Sequence, residues 1–178
     1  MLRRLFSLLA AGSLAAAAVA HQYQLGTLTI GHPWSRPTAP GMPMGVAYFS
    51  ITNHGSAPDV LLGASTPIAA SVQMHQTTIT EGMARMRPLT EIVIAPGATV
   101  RIEPGGIHLM LVDLKAPLEL GKSVPLELKF RTAGRITVQL SVEAGDTPPA
   151  AENAPSRALA VVTVVARSTG TRDAPTTP

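Results

Sequence analysis

The sequence predicts a single all-β domain of the sandwich or barrel type. Short runs rich in valine, isoleucine, leucine and threonine recur along the chain, and clusters of glycine, proline, asparagine and aspartate separate them. No segment carries an apolar stripe with helical spacing over three turns. A chain of 178 residues is long enough for one such domain with a tail, and short for two.

Nine runs are predicted to form strands. They span residues 25–30, 46–52, 60–65, 69–76, 84–88, 99–103, 107–114, 124–130 and 135–142. Turn signals such as Asn53-His54-Gly55, Thr80-Glu81-Gly82 and Pro104-Gly105-Gly106 lie between them. Because the chain contains no cysteine, disulfides cannot support this fold, and a continuous apolar core has to do so. The same absence excludes a thiol redox centre and a lipid-bearing cysteine.

Residues 1–20 are typical of a secretory signal peptide. Arg3 and Arg4 precede an apolar, alanine-rich run, and Ala18-Val19-Ala20 fits a small-residue cleavage site. The run is shorter than the roughly 20 residues that a spanning helix needs, so we do not expect a membrane span after cleavage. The predicted location is the periplasm. Arg3-Arg4 also resembles part of a twin-arginine signal, which leaves the export route open.

The predicted domain covers residues 21–144, and residues 145–178 form a linker and a tail. Residues 158–166 are apolar and β-prone, and predict either one extra strand at the sheet edge or an aggregation-prone segment that needs cover. Without the signal, the chain keeps 12 basic and 11 acidic side chains. This near balance indicates no electrostatic footprint for nucleic acid or an anionic membrane.

An ordered set of two histidines and two methionines indicates a metal site. His75 is followed after ten residues by Met86, and after twenty-one more by His108 and Met110 in the arrangement His-x-Met. In a strand over 107–114, the side chains of His108 and Met110 leave the same face, while those of the intervening residues point to the core. A methionine alone is more often core filler, and a histidine alone a rim residue. The set of four favours the metal site.

His75 and Met86 flank a turn signal and are predicted to face each other across a hairpin. If residues 79–82 form a symmetric four-residue loop, the two side chains are directly opposite, with Cβ atoms about 5 Å apart. Thioethers are soft ligands that favour Cu(I), and imidazole suits copper as well as zinc. Two methionines would serve zinc poorly. A blue-copper site is excluded because it needs a cysteine thiolate.

The quartet resembles the copper motif of the periplasmic copper chaperones called PCuAC. Flanking blocks resemble that family too: His32-Pro33-Trp34-Ser35-Arg36-Pro37, Gly45-Val46-Ala47-Tyr48-Phe49, Ile51-Thr52-Asn53, Met83-Ala84-Arg85-Met86-Arg87-Pro88 and Pro104-Gly105-Gly106-Ile107-His108-Leu109-Met110-Leu111. The likeness extends over about residues 22–142. It implies a cupredoxin-like β-barrel that binds Cu(I) through His75, Met86, His108 and Met110.

The resemblance further implies a carrier, not an enzyme. The family's best-known role is delivery of copper to the CuA centre of cytochrome c oxidase, often alongside a Sco-type thiol chaperone. Two other functions stay open: copper buffering or resistance without a dedicated acceptor, and a β-sandwich interaction module with no metal. Some relatives carry a tail rich in histidine and methionine, whereas residues 141–178 here contain neither.

The remaining histidines and methionines receive weaker interpretations. Cleavage would make His21 the N-terminal residue, whose amine and imidazole together form a candidate Cu(II) chelate. Met74 should face away from His75 and stay outside the metal site. Met42 and Met44 in the loop 41–45 are expected to pack within a turn, although a thioether patch facing a partner is the alternative. His32 and His54 are interpreted as structural or solvent-facing.

Overall fold

The computed structural model describes residues 22–145, which form eleven β-strands and no helix. The all-β prediction is confirmed. The predicted signal peptide, the candidate chelate at His21, and the linker and possible strand beyond residue 145 lie outside the described residues. In the part that is described, no helix has the length and apolar character needed to cross a membrane.

The strands follow one another with short connections. In chain order they are β1 Gln22–Leu25, β2 Leu28–Ser35, β3 Met44–Asn53, β4 Asp59–Ser65, β5 Ala69–Thr80, β6 Met83–Leu89, β7 Ile92–Ile94, β8 Thr99–Ile102, β9 Ile107–Leu114, β10 Ser123–Phe130 and β11 Arg135–Val142. They belong to one sheet in the order β6-β5-β9-β8-β3-β2-β11-β10-β4-β7. In addition, β1 pairs with β2, and β9 pairs with β3.

The sheet rolls up around a single apolar core. Strands β4 and β5, which lie far apart in the strand order, are in contact and so bring distant parts of the sheet together. In β11, burial alternates along the strand, so that one face supplies the buried side chains. The most deeply buried large residues are Leu28, Ile30, Ile51, Leu61, Ile92, Ile94, Ile102, Leu109, Leu111, Leu118, Leu126 and Leu128. The opposite face is left for function.

The strand predictions differ from the structure in two places: one predicted strand is split in two, and one short end strand of the sheet was missed. The run 25–30, predicted as one strand, is split by a tight turn between β1 and β2, where Gly26 has a φ of +58°. Glycine adopts this left-handed conformation at no steric cost, so the chain reverses inside an apparently continuous run. Strand β7 was not predicted, because its three residues are too few to show alternation.

Asp59 ties the start of β4 to the turn between β10 and β11. Its carboxylate accepts hydrogen bonds from the backbone N–H groups of Val60, Thr132 and Ala133 at 2.7, 2.9 and 2.8 Å. Burial alone would raise the pKa of Asp59, but the three donors outweigh it and hold that pKa below its ordinary value. The buried carboxylate therefore stays charged and fixes this end of the sheet.

Candidate metal centre

The β5–β6 hairpin carries the first half of the candidate site, in a register that differs from the predicted one. Its loop has two residues, Glu81 and Gly82, with φ values of +53° and +76°, and not four. Consequently His75 pairs with Pro88, and Met86 pairs with Thr77. The prediction that His75 and Met86 are directly opposite was wrong. The observed pairing of β5 with β6 is shifted by two residues from the predicted one. Because side chains alternate between faces, this even shift leaves His75 and Met86 on the same face.

His75 and Met86 nevertheless meet, because they are diagonal neighbours across the hairpin. The Nδ1 atom of His75 lies 3.1 Å from the Sδ atom of Met86. Metal bonds of about 2.0 Å to nitrogen and 2.3 Å to sulfur hold two such donors roughly 3–4 Å apart. Met86 is 55% exposed on β6, the end strand of the sheet. The pair is therefore spaced to share one metal ion and is open to solvent.

His108 supplies the second imidazole from the neighbouring strand. It is directly opposite His75 in the β5–β9 pairing, and the two rings lie edge to face with centroids 6.0 Å apart. The Nδ1 atom of His108 is 3.2 Å from the carbonyl oxygen of Gly106. In the tautomer whose Nδ1–H donates to that carbonyl, the Nε2 lone pair is available to a metal. Sequence reasoning missed Gly106 because a backbone carbonyl leaves no residue signature.

Met110 lies on the same face of β9, two residues after His108. It is half-buried, opposite Gln73 on β5 and Val46 on β3. Two residues of extended strand separate it from His108 by about 7 Å of backbone. The structure thus brings His75, Met86 and His108 together and places Met110 beside His108 rather than across from His75. The role of Met110 as a fourth ligand stays a prediction.

The other face of β9 behaves as expected. Ile107, Leu109 and Leu111 are buried in the core at 7%, 0% and 0% exposure. Met74, next to His75, is also buried and belongs to the core cluster, which agrees with its predicted orientation. The imidazoles and thioethers of the site are therefore backed by a packed apolar layer. Such a layer limits the movement of the strands that carry the ligands.

Burial and a neighbouring imidazole favour the neutral form of His75. Partial burial lowers the pKa of His75 below its ordinary value, and the neighbouring His108 lowers it further. A neutral imidazole is the form that binds a metal. Within the described residues, no group of three or more His, Cys, Asp or Glu side chains is arranged to hold a metal ion. The candidate site depends on thioethers as well as imidazoles, and this donor set suits a soft cation such as Cu(I).

The remaining candidate residues take separate roles. Met42 and Met44 are 51% and 42% exposed, so the expectation that they pack within a turn was wrong. The His32 Nε2 atom lies 3.3 Å from a carboxylate oxygen of Glu143, and the His54 ring forms a hydrogen bond of 3.0 Å with the Thr29 hydroxyl. These two histidines make local contacts away from His75 and His108.

Known proteins are similar to this chain in overall sequence and in fold. A family model described as "Putative lipoprotein LpqE-like" matches residues 28–142. The protein "Putative lipoprotein Lxx21020" of Leifsonia xyli subsp. xyli is 32% identical over 121 residues, which cover 67% of this chain and 72% of that protein. The family match spans the whole rolled sheet from β2 to β11.

Solved structures similar to this one include PCuAC domains. The copper-bound PCuAC domain from PmoF2 superposes with a TM-score of 0.61 at 30% identity, covering 70% of this chain and 99% of that domain. The apo PCuAC domain from PmoF1 gives a TM-score of 0.60 at 27% identity, covering 70% and 100%. The predicted cupredoxin-like fold is confirmed, and so is the resemblance at the level of a PCuAC-like fold.

Proposed function

The chain belongs to the LpqE-like family, and from this premise we propose that it is a Cu(I) carrier that binds copper through His75, Met86, His108 and Met110. One observation carries the proposal: the Nδ1 atom of His75 and the Sδ atom of Met86 converge to 3.1 Å, with the ring of His108 directly opposite. The pairing of β5 with both β6 and β9 puts these residues, which are far apart in the chain, on neighbouring strands, and this supports a shared site.

The donor chemistry supports copper in its monovalent state. Two imidazoles and two thioethers are neutral ligands, so a bound Cu(I) leaves a single positive charge at a partly buried site. The structural neighbour from PmoF2 is copper-bound, which supports copper as the metal. Thioethers also resist the oxidation that would disable cysteine ligands outside the cytoplasm.

The graded exposure of the ligands supports a carrier and not an enzyme. Met86 is 55% exposed at the sheet edge, whereas His108 is only 6% exposed on an interior strand. An incoming donor from an acceptor protein can replace the Met86 sulfur first and the inner imidazoles afterwards. Each step exchanges one ligand for another while copper stays monovalent. The copper ion is therefore never without ligands, and transfer avoids the free-energy barrier of releasing a bare ion.

We further propose that the acceptor is the CuA centre of cytochrome c oxidase, that a Sco-type thiol chaperone takes part, and that the protein acts in the periplasm. These assignments rest on the resemblance of the ligand motif and on a first segment, residues 1–20, typical of a signal peptide. Copper buffering would use the same site without an acceptor.

Anaerobic titration with Cu(I) against a chromophoric chelator tests the binding proposal. We expect one tightly bound Cu(I) per chain, and weaker binding in Met86→Ala and His108→Ala variants. X-ray absorption of the loaded protein should then count two nitrogen and two sulfur neighbours. Failure of the wild-type chain to bind, or equal binding by both variants, would favour an interaction module without metal.

Mixing the loaded protein with an isolated copper-free CuA domain tests delivery. Appearance of copper in the acceptor at a rate faster than free release supports the carrier role. Retention of copper by the donor would favour buffering.

A further inference from the structure

We propose that Met44 is an additional thioether that holds Cu(I) together with Met110 while copper enters or leaves the site. This inference rests on the proposed Cu(I) function and extends it by one residue outside the predicted quartet. It begins from strand register, because β3 borders β9 on the side away from β5.

Register places Met44 on the same face as the candidate ligands. In the β3–β9 pair, Met44 is opposite Val112 and Val46 is opposite Met110. Directly opposed residues of an antiparallel pair share a face, and residues two apart along a strand do so as well. Met44 therefore lies on the face that also carries His108 and Met110.

Met44 and Met110 are diagonal neighbours in the same sense as His75 and Met86. Met86 is opposite Thr77, which lies two residues after His75. In the same way, Met44 is opposite Val112, which lies two residues after Met110. Diagonal neighbours of this kind are within reach of long side chains. In the hairpin, this relation brings a nitrogen and a sulfur atom to 3.1 Å. The same relation across β3 and β9 puts two flexible thioethers within reach of each other.

The backbone of Met44 is held firmly, while its side chain faces solvent. The carbonyl of Pro43 accepts a hydrogen bond of 2.9 Å from the N–H of Leu114, and Gly45 is buried against Leu118. A Cβ at position 45 would lie 2.9 Å from the Leu118 side chain, so glycine lets the strand approach closely. The Met44 side chain is 42% exposed. The thioether is thus presented to solvent from an ordered strand.

Two exposed thioethers therefore flank the inner ligands: Met86 from β6 on one side and Met44 from β3 on the other. Cu(I) bound first by the sulfur atoms of Met44 and Met110 passes inward when the Met44 bond breaks and an imidazole nitrogen takes its place. The reverse sequence releases it. Copper stays monovalent, and neutral imidazoles release no proton, so the exchange is balanced without a further reactant.

The test compares Met44→Leu with Met83→Leu in the full chain. Leucine keeps the size and apolar character of methionine and removes the sulfur. Met83 is a matched control because it is 55% exposed but lies on the face of β6 opposite to Met86. We expect Met44→Leu to slow both Cu(I) uptake from a weak chelator and Cu(I) release to a strong one by roughly threefold or more, and Met83→Leu to change neither. Equal rates in the two variants would overturn the proposal.

Methyl-labelled methionine provides a second readout by NMR during titration with Cu(I). The methyl signal of Met44 should shift or broaden together with those of Met86 and Met110, while that of Met83 stays in place. If Met86 and Met110 respond and Met44 does not, the role of Met44 is wrong and the copper site stands. If none of the three responds, the copper function itself fails, and this inference fails with it.

Discussion

The Nδ1 atom of His75 approaches the Sδ atom of Met86 to 3.1 Å although the two residues are not paired across their hairpin. The contact is diagonal, and it arises because a two-residue loop shifts β6 relative to β5. A shift of one residue would have turned Met86 to the opposite face; a shift of two keeps it on the face of His75. The candidate site therefore tolerates the register that the tight turn imposes.

Loss of the Met86 sulfur should weaken Cu(I) binding specifically. We expect Met86→Leu to lower the affinity by at least about 10-fold, the lower end of losses seen even for residues that only support metal ligands. Met83→Leu should leave the affinity unchanged, since Met83 is equally exposed on the opposite face. Competition against a chromophoric Cu(I) chelator measures both, and similar affinities in the two variants would contradict the assignment of Met86.

Removal of His108 should move the titration of His75 in the copper-free protein. Burial is the larger cause of the lowered pKa of His75, and His108 is the smaller one. In His108→Asn, the pKa of His75 should rise part of the way toward its ordinary value and not reach it, because burial remains. NMR titration of the imidazole resonances measures the change. His54→Asn, which alters a histidine bonded to Thr29, is the control and should have no effect.

The same lowered pKa fixes the sign of a stability change with pH. The unfolded chain binds a proton at His75 at a higher pH than the folded chain does. The free energy of unfolding therefore loses nothing to His75 above the ordinary pKa of histidine, about 6.5, and decreases as the pH falls below that value. Urea denaturation at pH 7.5 and pH 5.5 should show a smaller decline for His75→Asn than for the wild type.

The hairpin loop offers a stabilising substitution. Glu81 adopts a φ of +53°, in the left-handed region that asparagine tolerates better than glutamate. Glu81→Asn should raise the free energy of unfolding by about 0.5–1 kcal/mol, because asparagine followed by Gly82 suits a two-residue hairpin turn. Glu81→Gln removes the same charge without the conformational benefit. Equal urea midpoints for the two variants would show that charge, not backbone conformation, decides the effect.

Asp59 should control acid stability at the other end of the sheet. Its three backbone donors favour the charged form, so Asp59→Asn should cost about 1–3 kcal/mol at pH 7. Because the folded pKa lies below the unfolded one, this stability exists above about pH 3.9 and disappears as the pH falls through the folded pKa. The difference between wild type and variant should shrink by pH 3. An exposed control, Glu119→Gln, should show no such dependence.

Strand alternation is local, which is why much of the fold follows from the residues themselves. The strand over 107–114 was predicted with the bounds observed for β9. Its alternation places Ile107, Leu109 and Leu111 on one face. His108 and Met110 lie on the other face. The misassigned run 25–30 shows the limit of this reasoning. A single glycine with positive φ reversed the chain where hydrophobicity gave no sign of a turn.

No local sequence pattern specifies which distant strands pair. That β5 contacts β9 on one side and β6 on the other, so that His75 meets both His108 and Met86, is set by how the whole sheet buries its apolar face. The exposure of Met44 beside Met110 has the same origin, since β3 and β9 are about sixty residues apart in the chain. The sequence by itself determined the all-β class, the facing of the side chains along β9 and the soft-donor chemistry. The tertiary structure decided which donors share a neighbourhood, because register and strand order depend on packing across the entire core.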